Sequence, residues 1–215
     1  MHVRVGVPSR ALSPAFAVLV SLALALSMSA CGKKGAPQTT APAGFTVVRD
    51  AGAGFAVAVP GDWQRIPLPG DLDDFDKQSR ALANRNPKLS PAILQARQLL
   101  QSGGKLMAVS PDGESIINLT VDKADEKTLT EIGRVTSAKL QEAGATNLAQ
   151  EPATTGAGPA LKLRFRLPIE GQGGETQEAN ETQYFVLHDG KSFVLTFQNA
   201  TDDLAASVAG SLRLR

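Results

Sequence analysis

The 215-residue chain has one cysteine, two histidines, one tryptophan and one tyrosine. One cysteine excludes an intramolecular disulfide. His2 and His188 are too few for a site built from several histidines. His188 precedes a predicted turn and reads as an exposed hairpin residue. As its immediate neighbour, Asp189 would usually point elsewhere, so a Ser-His-Asp arrangement gets little support. No serine sits in a GxSxG turn. Gly190-Lys191-Ser192 ends like a phosphate loop, but Phe185 stands where that loop needs its first glycine. The glycines within 51–56 and 171–174 lack the third glycine of a dinucleotide loop. The acids within 71–76 fail as a calcium loop, because Phe75 and Asp76 occupy a ligand and the glycine position. Aromatics are 5% of residues and the formal net charge is +1, so there is no basic surplus for nucleic acid. No cofactor, metal site or catalytic group is expected from these residues.

What is present begins at the N-terminus. Met1–Arg10 carries Arg4 and Arg10 and no acid. Ala15–Ala30 is an apolar run broken by Ser21, Ser27 and Ser29. As a helix it would be about 24 Å long, short for a hydrocarbon core of about 30 Å. A basic start, a short apolar core and small residues before a boundary describe a secretory signal peptide over residues 1–30. The sequence Met28-Ser29-Ala30-Cys31-Gly32 resembles the lipobox of bacterial lipoproteins, with Met28 where leucine is usual. The resemblance implies cleavage between Ala30 and Cys31 and a diacylglyceryl anchor on the Cys31 thiol. Lys33 and Lys34 have the wrong charge for a metal site at Cys31. Residues 31–44 are rich in glycine, proline, threonine and alanine and read as a flexible tether. The two lysines suit either an anionic bilayer surface or plain solubility. Loss of the leader removes two of 22 bases and none of 21 acids, leaving a net charge of −1.

Residues 45–215 are long enough for one domain with its own core. Phe45–Asp50 and the alternating run from Gly54 read as strands, the second packed on both faces. Leu72, Phe75 and Leu82 share a helical face. Ser90 reads as the cap of a second helix with Pro91 at its first position. KLMAVS and SIINLTV read as strands joined by a turn at Pro111–Glu114. Thr128-Leu-Thr-Glu131 is a capping box, with Leu129, Ile132, Val135 and Leu140 on one helix face and Gly144 as its stop. In Ala160–Leu167, Leu161, Leu163 and Phe165 alternate with Lys162, Arg164 and Arg166. Residues 171–181 read as a polar loop. Two strands then flank Asp189-Gly190, a two-residue hairpin turn. A short helix over TDDLAASVAG and the terminal SLRLR finish the chain. Hairpins interleaved with helices predict an α+β fold with a mainly antiparallel sheet covered by helices.

The segments GFAVAVPGDWQ, KLMAVSPDGESIINLTV, TQYFVLHDGKSFVLTF and the closing SLRLR resemble the PsbP-like fold group. Among its bacterial members they are similar to LpqN-like and DcrB-like lipoproteins. The resemblance implies an α-β-α sandwich and an accessory or partner-binding role in the cell envelope. It brings no catalytic signature.

The resulting expectation is a membrane-anchored, extracytoplasmic lipoprotein acting as a non-catalytic binding or accessory module. Its partner would be an envelope protein or a lipid. The alternative is a lipid or glycolipid carrier with an apolar cavity, and a hydrolase with an unrecognised site ranks third. Trp63 is expected to pack over a sheet end. The stripe Lys162, Arg164, Arg166 reads either as a solvated strand face or as a docking edge for an anionic headgroup or protein partner. The 171–181 loop is a second candidate contact surface.

Overall fold

The structure is a computed structural model, described over residues 37–124, 128–170 and 176–215. The leader, the Ala30–Cys31 boundary, the first residues of the tether and residues 171–175 lie outside these. β1 (Phe45–Asp50) and β2 (Phe55–Pro60) form an antiparallel hairpin. Its turn is closed by Asp50 Oδ1, which accepts the amides of Gly52 at 2.9 Å and Ala53 at 2.8 Å. Phe55 to Val59 are at most 1% exposed, so β2 is buried on both faces as its unbroken apolar run requires. The last strand, β10 (Arg213–Leu214), pairs with the other edge of β2 and completes a three-stranded sheet.

The larger sheet contains β3 (Gln64–Arg65), β4 (Gly104–Val109), β5 (Ile116–Lys123), β6 (Thr146–Thr155), β7 (Gly158–Glu170), β8 (Thr176–His188) and β9 (Lys191–Gln198). Its order is β3-β4-β5-β9-β8-β7-β6, and every pairing is antiparallel. Asp189 and Gly190 take φ values of 47° and 69°, as a tight hairpin turn needs.

One expectation is corrected here, and one strand appears that the sequence did not suggest. Thr176–Glu181 is strand, not loop. There Leu167–Glu170 pairs with Thr176–Ala179 beyond the last registered partners of β6 and β9. The segment is polar because it is an outlying ribbon, not because it lacks pairing. β6 carries no alternating signal and includes Pro152. It is a sheet edge, where a missing donor is tolerated.

Cross-strand partners share a face, and their rows show how the layers are built. Val109, Ile116, Gln198, Glu181 and Phe165 form one row; Met107, Asn118, Thr196, Gln183 and Leu163 form the next. Each row is apolar at its ends and polar in the middle. α1 (Leu72–Arg85) and α2 (Ser90–Gln101) cover the β4 end, and α3 (Leu129–Glu142) covers the β7 end. On the opposite face, Ile117, Leu119, Phe193, Leu195 and Phe197 meet β2 and α4 (Asp202–Ser211) in the main core, all at most 1% exposed. The fold is therefore α+β, a helical layer on one face and a small sheet plus one helix on the other.

The helix ends follow local chemistry. Asp71 Oδ1 accepts the amide of Asp74 at 2.8 Å, and Thr128 Oγ1 accepts that of Glu131 at 3.2 Å. Gly144, at φ 84°, ends α3. Ser90 is not a cap. A 3-10 turn at Pro87–Leu89 runs straight into α2, and the Ser90 hydroxyl donates to the carbonyl of Pro87 at 2.8 Å. On α3 the buried contact is Gly133, not Val135, which is 38% exposed. A Cβ at Gly133 would lie 2.6 Å from Leu161 Cδ2, so the glycine sets how closely the helix seats. Trp63 is half-buried against the main core rather than enclosed by it. No helix of the described residues is long and apolar enough to cross a membrane.

Candidate binding cleft at the end of the sheet

Alternation along β7 puts Leu161, Leu163 and Phe165 under α3 and turns Lys162, Arg164 and Arg166 to the α4 side. Their partners on β8 are Tyr184, Thr182 and Asn180. On β6 they are Glu151, Ala149 and Thr146. The stripe is thus flanked by strands on both sides, and the N-terminus of α4 lies against it.

None of the three cations stands free. Lys162 Nζ lies 3.4 Å from Glu151 and 3.7 Å from Asp202, with its side chain only 14% exposed. It also sits 5.8 Å from the ring centre of Tyr184. Arg164 is 3.7 Å from Glu151 and 3.4 Å from Asp202. Arg166 is 3.5 Å from Glu178, and its Nε donates to Asn180 Oδ1 at 3.1 Å. The carboxylate contacts, at 3.4–3.7 Å, are longer than the 2.7–2.9 Å of a well-formed charge-assisted hydrogen bond. Arg164 Nε is buried with no acceptor among the described residues.

Beside the arginines a cleft of about 700 Å³ opens between β6, β7, β8 and the start of α4. Asn147 and Asn199, at φ 54° and 53°, both line it. Asparagine tolerates this left-handed backbone better than most residues. Asn147 sits in the register shift between β6 and β7. Asn199 ends β9: its amide donates to the carbonyl of Asn180 at 2.8 Å, and its Oδ1 accepts the Asn180 amide at 3.0 Å. Thr182, Thr201 and Asp202 complete the polar wall. Glu181 borders the cleft, but along β8 its side chain turns to the opposite face of the sheet from Thr182 and Asn180, in the row of Phe165. Burial pushes its carboxyl up to about 7, against the opposing hydrogen bond with Gln183.

The other sequence candidates fall elsewhere. His188 Nε2 is 3.7 Å from Asp189 Oδ2 on the exposed hairpin. The acids near 71–76 are a helix cap and partners of Lys77 and Arg97. No cluster of three or more metal-ligating side chains occurs among the described residues. A second cleft, of about 320 Å³, lies between α3 and the sheet, with Ile132, Val135, Phe185 and Val194 as its apolar part. The stripe was legible from alternation alone. The asparagines were not, because Asn147, Asn180 and Asn199 come from three separate segments that only the sheet register assembles.

The architecture defines an α+β domain with an open polar cleft at one end of its sheet. Among solved structures it is similar to cyanobacterial PsbP from Synechocystis, with a TM-score of 0.52 and 14% identity over 87% of this chain and 99% of that one. It is also similar to LpqN of Mycobacterium tuberculosis, described as involved in cell envelope biogenesis, with a TM-score of 0.43 and 15% identity over 79% of this chain and 90% of that one. No family model and no curated protein matches the chain. The fold is PsbP-like, as the sequence resemblance implied.

Proposed function

We propose that the protein is a non-catalytic accessory or binding module of the cell envelope, held to the extracytoplasmic face of a membrane by a diacylglyceryl group on Cys31. The observation that carries the reading is the open, polar cleft at Arg164 and Arg166. It lies on a domain whose main core is filled by side chains at most 1% exposed, such as Phe55, Phe193 and Phe197. A carrier needs a large apolar chamber, and the partly apolar cleft under α3, at about 320 Å³, is the smaller of the two; a docking module needs a polar recess on a rigid sheet. The cleft offers cations, amides, hydroxyls and carboxylates without a histidine, cysteine or serine among its lining residues. That set suits recognition better than acyl transfer.

The tether is shorter in this reading than the composition of residues 31–44 suggests. Thr39 Oγ1 already donates to the carbonyl of Ser211 at 2.7 Å. If the seven or so residues before it are the tether that the sequence reading expects, they would reach about 15 Å. A module kept that close to a bilayer meets membrane partners at high effective concentration, so a weak interface suffices.

Affinity capture from detergent-solubilised membranes tests the reading. The wild type should retain an envelope component that an Arg164→Gln/Arg166→Gln variant loses. Equal capture by both removes the cleft as the contact. Turnover of an ester or peptide by the purified protein would overturn the non-catalytic assignment.

A further inference from the structure

We infer that the Arg164–Arg166 cleft binds a phosphoryl group carried by a polar molecule, a phosphate ester of either a lipid headgroup or a soluble metabolite. The inference rests on the reading of this cleft as the contact site and adds the chemistry of what enters it.

The argument starts from the donors. A guanidinium has five N–H groups in a fixed fork and no acceptor. In Arg164, Nη1 donates to Asp202 Oδ2 at a long 3.4 Å, Nη2 lies 3.7 Å from Glu151, and the buried Nε has no acceptor among the described residues. Arg166 has one formed hydrogen bond, to Asn180, and a carboxylate at 3.5 Å. Both side chains are under-used as donors. Both are also partly open to solvent, at 43% and 49% exposure, and both line the cleft. Exposed ion pairs of this length are weak, so an entering oxyanion displaces them at small cost.

The spacing selects the ligand. Arg164 and Arg166 are two residues apart on one strand face, about 6.6–7 Å along the chain. A carboxylate offers only two oxygens, both in one plane. A tetrahedral phosphoryl group presents oxygens in several directions and can be shared by two. Glu151 illustrates the limit of a carboxylate here: the same oxygen serves Lys162 and Arg164, at 3.4 and 3.7 Å, and forms a short bond with neither. Apart from Asp202, which pairs with Arg164, the polar part of the cleft is made of neutral amides and hydroxyls. Asn147, Asn199, Thr182 and Thr201 suit hydroxyl and amide groups on the body of the ligand. At about 700 Å³ the recess is far larger than a bare phosphate needs.

Asp202 provides the discriminating variant. Its carboxylate competes for Arg164 at 3.4 Å. If the cleft takes an anion, Asp202→Asn should strengthen binding; a merely structural arginine predicts no such gain.

The test uses the full-length protein in an uncharged detergent, with calorimetric titration at constant ionic strength. The probes are glycerol 3-phosphate, and micelles doped with phosphatidylglycerol. Saturable binding of at least one is expected, weakened about tenfold or more by Arg164→Gln and by Arg166→Gln, and tightened several-fold by Asp202→Asn. Binding of the soluble ester supports a soluble source; binding of the doped micelles alone supports the headgroup. No saturable binding of either probe overturns the inference, as does binding that Arg164→Gln leaves intact or Asp202→Asn weakens. The Asp202→Asn arm keeps the test decisive if an arginine variant folds poorly. Partner capture that depends on the arginines while both probes fail would leave the contact site standing and remove only the phosphoryl ligand.

Discussion

The hydroxyl of Ser211 accepts the amide of Ala58 at 2.8 Å and donates to the carbonyl of Val208 at 2.7 Å. One side chain at the end of α4 therefore closes the backbone of a strand 153 residues earlier in the chain. Ser211 is 6% exposed and Ala58 is fully buried, so no water replaces the bond freely. Ser211→Ala should cost about 1–3 kcal/mol, the penalty for an unsatisfied buried donor. The urea midpoint measures it; an unchanged midpoint would mean that the amide finds another acceptor.

Glu181 predicts a pH dependence. Its carboxyl has an ordinary value of 4.5 and is pushed up to about 7 in the fold by burial. Between these values the folded protein holds a proton that the unfolded chain has lost. Stability therefore falls as pH rises from about 4.5 to about 7, then levels off. The loss is on the order of 2–3 kcal/mol. Glu181→Gln should flatten this part of the profile and raise the melting temperature at pH 8. A wild-type profile already flat between pH 5 and 7 would show that the carboxyl is hydrated.

Gly156 is a packing requirement. A Cβ there would lie 1.6 Å from Arg213 Nη1 and 2.2 Å from the carbonyl of Gly210. The same Nη1 donates to the carbonyls of Gly210 at 3.0 Å and Leu212 at 2.8 Å, tying down the end of α4. Gly156→Ala has to break that tie or shift backbone, at a cost of about 2–3 kcal/mol. Thermal unfolding reads it, and pairing with Arg213→Ala should recover part of the loss.

The basic stripe separates neutral from reversed charge. Arg164→Gln removes loose, half-exposed pairs and should cost less than about 1 kcal/mol. Arg164→Glu instead puts a third carboxylate beside Glu151 and Asp202, so it should lower the melting temperature clearly more. Equal melts for the two variants would mean that these ion pairs do not form in solution.

How much was legible follows from the range of each signal. Thr128, Gly144 and Asp189-Gly190 act within a few residues, and their structures match the sequence reading. The alternation in β7 is equally local. β6 was hidden because an exposed edge strand with Pro152 needs no apolar face. The ribbon at Thr176–Glu181 looked like loop for the same reason. Ser90 misled because a helix can begin from a preceding 3-10 turn, which supplies the carbonyl its hydroxyl uses. Trp63 packs against the main core as expected but is only half-buried, so Trp63→Ala should cost less than the 3–5 kcal/mol typical of a fully buried aromatic. The cleft itself was only partly visible. Its arginines follow from period two, while Asn147, Asn180 and Asn199 come together through register.

The central claim, that this module works while anchored through Cys31, is tested most directly by detergent phase separation of the protein expressed with its own leader. The wild type should partition into the detergent phase as a processed, lipid-labelled form. Cys31→Ala should appear unprocessed or in the aqueous phase, without label. A Cys31→Ala protein that still partitions as a mature, lipid-labelled form would contradict the account.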